Sequence, residues 1–344
     1  MKTLAFGNTD IKVTPVGLGT WAIGGWMWGG TDEKRSIDTI HAAIDKGIGL
    51  IDTAPAYGFG RSEELVGRAL AGGRREKVAL ATKVALNWNL DQNQVWRDAS
   101  AARIEREVED SLQRLQTDRI DIYQVHWPDP LTPMEETAKA MEKLHRDGKI
   151  RAVGVSNFSP EQMDEFRKFA PLHSLQPPYN LFERQIEEDI LPYCRDNGIA
   201  TITYGGICRG LLSGKMSEQT QFEGDDLRKS DPKFQGDRFR QYLAAVDALD
   251  RFARDYAQKN VLALALRWLI DQKGVTTALW GARRPDQLDP VGDIEGWSLD
   301  ADAMKQIDAI LDEHIKDPVG PEFMAPPARK KPDSGKRTVH SATT

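Results

Sequence analysis

Eight short apolar runs, spaced by longer stretches of helical pattern, constrain this chain more than any other feature. The runs lie near 15–19, 49–53, 78–83, 120–126, 151–156, 173–177, 199–204 and 276–281. Several are apolar without alternation, as strands are when helices cover both faces of a parallel sheet. Helix start signals mark the stretches between them. Ser62-Glu-Glu is one and Asp98-Ala-Ser-Ala a second; Ser159-Pro160-Glu161, with proline at the first helical position, is a third. Leu112 and Leu115 continue a helical stripe. Eight strands alternating with helices predict an α/β fold, a (β/α)8 TIM barrel. Ahead of it, residues 4–14 read as an N-terminal β-hairpin turning at Gly7-Asn-Thr-Asp10.

Two segments interrupt the repeat. Residues 213–236 are polar, with glycine, proline and mixed charge, and are too long for a routine connector, so they read as a functional or mobile loop. From Asp317 onward the chain is proline-rich and carries the basic run Arg329-Lys-Lys331. The expected organisation is one barrel domain over residues 1–316 and an irregular tail over 317–344, disordered at its end. The 344 residues are 40% hydrophobic, enough for a large core, and a barrel reaches this length as one domain. A net charge of -6 argues against an electrostatic nucleic-acid binder. Two cysteines are too few for a disulfide framework, and no apolar stretch has the length of a signal peptide or membrane span. A cytoplasmic protein, monomeric or weakly oligomeric, is expected. The six histidines show no ligand spacing, so no metal is expected.

The chemistry gathers at strand ends. Asp52-Thr-Ala-Pro-Ala-Tyr57, Thr82-Lys83 and Val125-His126 each follow or end an apolar run. In a β/α barrel such ends share one mouth. Reducing a carbonyl requires a hydride on carbon and a proton on oxygen. A tyrosine with a reference pKa of about 10 is a poor proton donor at neutral pH unless a neighbouring ammonium stabilises its phenolate. Lys83 is expected to lower the pKa of Tyr57 in this way. Asp52 would hold Lys83 charged, and His126 would orient the substrate oxygen. Taken singly, each residue is more readily a neutralised pair, a rim tyrosine or a satisfied core histidine than a catalytic group. It is the set of four at consecutive strand ends that favours catalysis.

These motifs, together with Gly154-Val-Ser-Asn-Phe158 and Tyr204-Gly-Gly-Ile-Cys-Arg-Gly210, resemble the aldo-keto reductases, in family order and from about Leu4 to Asp312. Within that family the chain looks most like the bacterial branch acting on sugars and polyols. The resemblance implies a barrel that binds a nicotinamide cofactor without a Rossmann domain, and a tetrad of Asp52, Tyr57, Lys83 and His126. It implies Ser156, Asn157 and Gln176 around the carboxamide and Tyr204 stacked on the nicotinamide ring. Gly205, Gly206, Ile207, Cys208, Arg209 and Gly210 would pass the pyrophosphate, with Arg209 and backbone N–H groups on phosphate oxygens. Trp280-Gly-Ala-Arg-Arg-Pro-Asp-Gln287 ends the last strand and opens a helix. Gly281, Arg283, Arg284 and Gln287 there are expected at the cofactor; the helix N-terminus with Arg283 and Arg284 suits an adenosine 2′-phosphate, which favours NADP over NAD. Where many relatives have Pro-Leu, this chain has Gly206-Ile207, and their Glu-Asn pair against adenine is missing.

Five tryptophans, Trp21, Trp26, Trp28, Trp88 and Trp127, could wall a substrate pocket at the mouth, although for any one of them a packing role is the safer reading. The expected activity is NADP-dependent interconversion of small aldehydes or ketones, such as glyceraldehyde, and alcohols, such as glycerol. Two rivals are a non-catalytic cofactor-sensing subunit of the same fold and a barrel lyase or isomerase forming a Schiff base on Lys83.

Overall fold

The computed structural model describes residues 1–91 and 94–329. The end of the tail, with Lys330, Lys331 and the expected disorder, lies outside the described residues. The chain opens with the antiparallel hairpin β1 (Leu4–Ala5) and β2 (Lys12–Val13). It continues with β3 (Val16–Gly19), β4 (Leu50–Asp52), β5 (Ala79–Val84), β6 (Leu86–Asn89), β7 (Gln94–Arg97) and β8 (Ile120–Val125). Then follow β9 (Ile150–Ser156), β10 (Ser174–Gln176), β11 (Ala200–Thr203) and β12 (Thr277–Gly281). Strands β3, β4, β5, β8, β9, β10, β11 and β12 pair in parallel and close into a barrel. Each agrees with an expected run to within one or two residues. The antiparallel pair β6–β7 was not anticipated: Leu86-Asn-Trp-Asn89 alternates apolar and polar, but Gln94-Val-Trp-Arg97 sets two apolar residues side by side and shows no period of two.

The alternation of strand side chains sorts the barrel into two environments. Ala79 and Ala81 of β5, Leu50 of β4 and Ile202 of β11 pack inward with Phe6, Ile11 and Val13, which plug the floor. Ile51, Leu80 and Val84 point outward into the helix layer. The inward rows of β4 and β5 therefore run from apolar at the floor to Asp52 and Lys83 at the top. A barrel whose lower layers are filled has no solvent path from below, so these groups meet the outside only through the mouth.

Helix starts match the sequence signals in two of three places. Ser100 caps the helix Ala101–Leu115, and Ser159 forms a full capping box with Gln162 on the helix Pro160–Arg167. Ser62 is not a cap: Gly60 precedes the helix Arg61–Leu70, and the Ser62 hydroxyl instead contacts Thr20 at 2.7 Å and Thr53 at 2.9 Å. That bond ties the helix to the first two barrel strand ends. Among the described residues no helix is long and apolar enough to cross a membrane.

The described part of the tail is not free. Residues 317–329 include one short 3-10 turn, Glu322–Met324, and run over the barrel mouth.

Candidate active site

Asp52 ends β4, Tyr57 lies in the turn that follows, Lys83 is in β5, and His126 follows β8 directly. Lys83 is fully buried, and its Nζ donates to Asp52 Oδ1 at 2.7 Å, to the Thr53 carbonyl at 3.0 Å and to Tyr57 Oη at 3.1 Å. An ammonium has three protons, and here all three have acceptors. The second Asp52 oxygen accepts from Gln176 Nε2 at 2.8 Å and, more weakly, Gln124 Nε2 at 3.4 Å. The His126 ring meets Tyr57 edge-on at 5.8 Å, and the His126 backbone N–H donates to Val84 O.

The electrostatics correct one expectation. Burial raises the Tyr57 phenol well above its ordinary value, and the Asp52 charge acts in the same direction. The reason is that the Lys83 charge is already engaged by Asp52, so desolvation of the phenolate dominates at Tyr57. Tyr57 therefore holds its proton. Because Lys83 donates into the phenol oxygen, the Tyr57 O–H hydrogen points away from Lys83. Burial lowers the Lys83 ammonium, with Asp52 opposing. Burial, then the Lys83 charge, hold His126 well below its ordinary value, so its imidazole is neutral.

Two cavities meet at this cluster. The larger, about 420 Å³, runs from Asp52 and Tyr57 past residues 204–210 to Arg283, Arg284 and Gln287. The second, about 280 Å³, is lined by Trp21, Trp26, His126 and Trp127 together with tail residues. Trp21, Tyr57, Tyr204 and Met324 line both. Tyr57 thus stands on the boundary between a polar, arginine-rich space and an indole-walled one.

Of the residues expected to hold a carboxamide, Ser156, Asn157 and Gln176 gather beside Tyr204 on the indole-walled side. Asn157 adopts a positive φ of 62° and donates to the His126 carbonyl at 3.0 Å, while its Oδ1 accepts from Tyr204 Oη at 2.9 Å. Ser156 Oγ donates to Gln176 O at 2.8 Å. Gly205, Gly206, Ile207, Arg209 and Gly210 line the larger cavity, and Cys208 is buried beneath it with a free thiol. Gly281 has open space where a β-carbon would stand. Arg209 departs from expectation: Glu183 and Asp231 capture its guanidinium, leaving it only 6% exposed. Two buried carboxylates compete for that charge ahead of any phosphate.

At the outer end, Arg283 donates to the carbonyls of Trp28 at 2.6 Å and Gly30 at 2.5 Å, and Arg284 pairs with Asp286. Gln287 is spent locally, its Oε1 accepting from the N–H groups of Arg283 and Arg284. The sequence reading missed Arg35 and Arg228, which line the same cavity. Four arginines, Arg35, Arg228, Arg283 and Arg284, gather at this end; Arg228 pairs with Asp226 at 2.6 Å and Arg284 with Asp286, whereas Arg283 bonds carbonyls rather than a carboxylate, so this end favours an anion. Nothing local in the sequence marked Arg35. Arg228 lies in the 213–236 segment already singled out, with its guanidinium 4.3 Å from the Phe222 ring centroid and 5.3 Å from that of Trp28. That segment is fastened across the cavity: Asp225 accepts from Met27 N at 2.7 Å and Gly29 N at 3.1 Å.

The tryptophans divide. Trp21, Trp26 and Trp127 line the smaller cavity, and Trp21 stacks on Tyr57 at 6.0 Å. Trp28 lines the larger one. Trp88 is not among the lining residues of either: it packs on Phe59 and lies beneath Arg103, held on β6 of the unforeseen hairpin.

Comparison with known proteins places this geometry in a family. The Aldo/keto reductase family model matches residues 15–312. Aldo-keto reductase YhdN of Bacillus subtilis is 60% identical over 332 residues, covering 96% of this chain and all of that one. An NADH-specific methylglyoxal reductase of Escherichia coli is 37% identical over 303 residues, 84% of this chain and 91% of that one. Among solved structures, a glycerol dehydrogenase from Gluconobacter oxydans superposes with a TM-score of 0.85 at 54% identity, covering 94% of this chain and 99% of that one. With a closed eight-stranded barrel and a match over most of its length, the chain belongs to the aldo/keto reductase family.

Proposed function

We propose that this protein is an NADP-dependent oxidoreductase that interconverts small aldehydes or ketones and their alcohols, with Tyr57 as the proton donor in reduction and the acceptor in oxidation. The observation that carries the reading is the position of Tyr57, bonded to Lys83 and lining both cavities.

The donor set of the larger cavity fits a dinucleotide phosphate. Its outer end carries Arg35, Arg228, Arg283 and Arg284, its middle the close-approaching backbone of residues 205–210, and its inner end the Tyr204 ring. A nicotinamide held there would supply the hydride for the carbonyl carbon. The chain's own part is proton transfer and orientation. Tyr57 gives its proton to the substrate oxygen, and Lys83 Nζ, already donating to the phenol oxygen, stabilises the negative charge that develops there. Asp52 keeps the ammonium in place. His126, neutral, is suited to donate a hydrogen bond to the same substrate oxygen without competing for the proton. Indole faces with few charges favour a small neutral substrate, and glyceraldehyde, with glycerol in the reverse direction, fits that chemistry. The names of the relatives, a methylglyoxal reductase and a glycerol dehydrogenase, point to the same class of small oxygenated compounds.

The test is a parallel titration of NADPH and NADH by quenching of tryptophan fluorescence, followed by steady-state reduction of glyceraldehyde. Tight NADPH binding, weak NADH binding and turnover support the reading. Equal affinities would remove the 2′-phosphate argument and leave the reductase. Borohydride trapping of a carbonyl on Lys83 would replace hydride transfer with Schiff-base chemistry.

A further inference from the structure

Four charged side chains meet beside the larger cavity, which Arg209 alone of them lines, and the proton transfer above uses none of them. The side chains of Glu183, Asp231 and Lys233 have no exposed surface, and that of Arg209 has 4%. Lys233 Nζ lies 2.8 Å from Glu183 Oε1 and 3.8 Å from Asp231 Oδ1. Arg209 bonds Glu183, and its Nε stands 2.6 Å from Asp231 Oδ2 in ion-pair contact. Two positive and two negative charges balance. Desolvating such a set costs several kcal/mol per ion, and well-packed apolar residues of equal volume are often as stable or more so. A cluster of this kind is therefore better explained by what it holds in place.

It joins segments far apart in sequence. Glu183 follows β10, Arg209 belongs to the turn along the larger cavity, and Asp231 and Lys233 end the 213–236 segment. Lys233 Nζ also donates to the Gly320 carbonyl at 3.1 Å, and the Arg209 guanidinium lies 5.5 Å from the Phe323 ring centroid. From this post the tail continues as a wall of the smaller cavity through Phe323, Met324, Ala325, Pro326 and Pro327. A second post holds its far end. Arg97 Nε donates to Pro326 O at 2.7 Å and the Arg97 N–H to Pro327 O at 3.0 Å. Arg329 donates to Thr132 Oγ1 at 2.8 Å and lies 3.5 Å from Asp129. Between the posts the strap makes few backbone bonds of its own, Met324 N to Pro321 O and Ala325 N to Glu322 O. Proline cannot donate more. Neither Lys233 nor Arg97 lines the cavity.

We propose that Lys233 and Arg97 are positioning residues that fix the two ends of residues 320–327, so that this strap is a rigid wall limiting the substrate cavity to small carbonyl compounds. The inference rests on the carbonyl-reductase reading.

The experiment compares the full-length protein with two variants. Arg97→Met/Arg329→Met removes the side-chain bonds of the far post and leaves only the backbone bond from Arg97 N–H to Pro327 O. Asp231→Asn/Lys233→Met frees the near one while keeping the buried set neutral and the cap on the Lys233 N–H. Each is assayed with glyceraldehyde and with a naphthaldehyde, beside the NADPH dissociation constant. The expected result is a shift of the kcat/KM ratio by about tenfold towards the bulky aldehyde, carried by KM, with cofactor affinity unchanged in the far-post variant, which leaves Arg209 and its two carboxylates in place. An equal loss on both aldehydes, or an unmoved ratio, overturns the proposal. Should the near-post variant fail to fold, the far-post variant decides. Should the parent reduce neither aldehyde, the reductase reading fails by itself. Hydrogen exchange at residues 320–327 then decides the strap: faster exchange in the far-post variant supports it, and unchanged exchange overturns it.

Discussion

Gly24 stands so close to Tyr57 that a β-carbon on it would lie 2.5 Å from the Tyr57 carbonyl oxygen. The contact is backbone against a near-naked backbone, with no flexible side chain to yield. It seats the turn that carries the phenol against the short helix Trp21–Gly24. Gly24→Ala must push residues 57–58 away, and a displacement of about 1 Å at a reacting group costs on the order of 10²-fold in rate. We expect a comparable loss of kcat with NADPH affinity retained. Full activity in that variant would show that the phenol position does not depend on this contact.

Tyr57→Phe removes one oxygen and leaves the ring to stack on Trp21. Loss of the general acid should lower kcat by roughly 10²–10⁴-fold. Cofactor quenching should be unchanged, because no cofactor contact is assigned to the hydroxyl. Steady-state kinetics and the fluorescence titration read the two halves of this prediction separately.

Lys83→Met tests the pair that supports Tyr57. It leaves Asp52 buried with only amide partners, and breaking a buried ion pair from one side costs about 3–5 kcal/mol. Asp52→Asn/Lys83→Met removes both charges and should recover much of that stability while remaining inactive. Urea unfolding of the two variants distinguishes this from a purely catalytic Lys83, for which both would be as stable as the parent.

His126 gives stability a pH dependence. Its folded pKa is held well below the ordinary value by burial and by Lys83. As pH falls below about 6.5 the unfolded chain takes up the proton first, so stability declines, by up to about 1.4 kcal/mol per pH unit. His173 is lowered too, mainly by burial and then by His145, and adds a share of the same sign. His126→Gln should flatten the decline between about pH 6.5 and 5 by one such share. Thermal unfolding across that window gives the answer, and an unchanged slope would mean that His126 is not held neutral.

Much of the architecture was legible from order and period alone. Near-continuous apolar runs placed the eight barrel strands, and two of the three helix start signals contain a serine, Ser100 and Ser159, that caps its helix. Ser62 carried the same signal without capping, because two threonines from neighbouring strand ends compete for its hydroxyl. The hairpin β6–β7 was missed for a different reason: only β6 alternates, while Val95 and Trp96 stand side by side in β7, and with the hairpin went the placement of Trp88.

The site divides in the same way. That Asp52, Lys83 and His126 belong at one mouth follows from their places at the ends of parallel strands, which sequence determines because the strand register fixes which side chains point inward. What tertiary structure alone decided is how charge is shared among them. Arg209, placed by its glycine-rich surroundings beside a phosphate, is instead claimed by Glu183 and Asp231, 26 residues before it and 22 after. Tyr57 is held neutral rather than acidified, because its burial outweighs the Lys83 charge that Asp52 already engages. The tail, irregular by composition, becomes a cavity wall through Arg97 and Lys233. Desolvation and long-range ion pairing depend on distances between segments, and no local pattern encodes those distances.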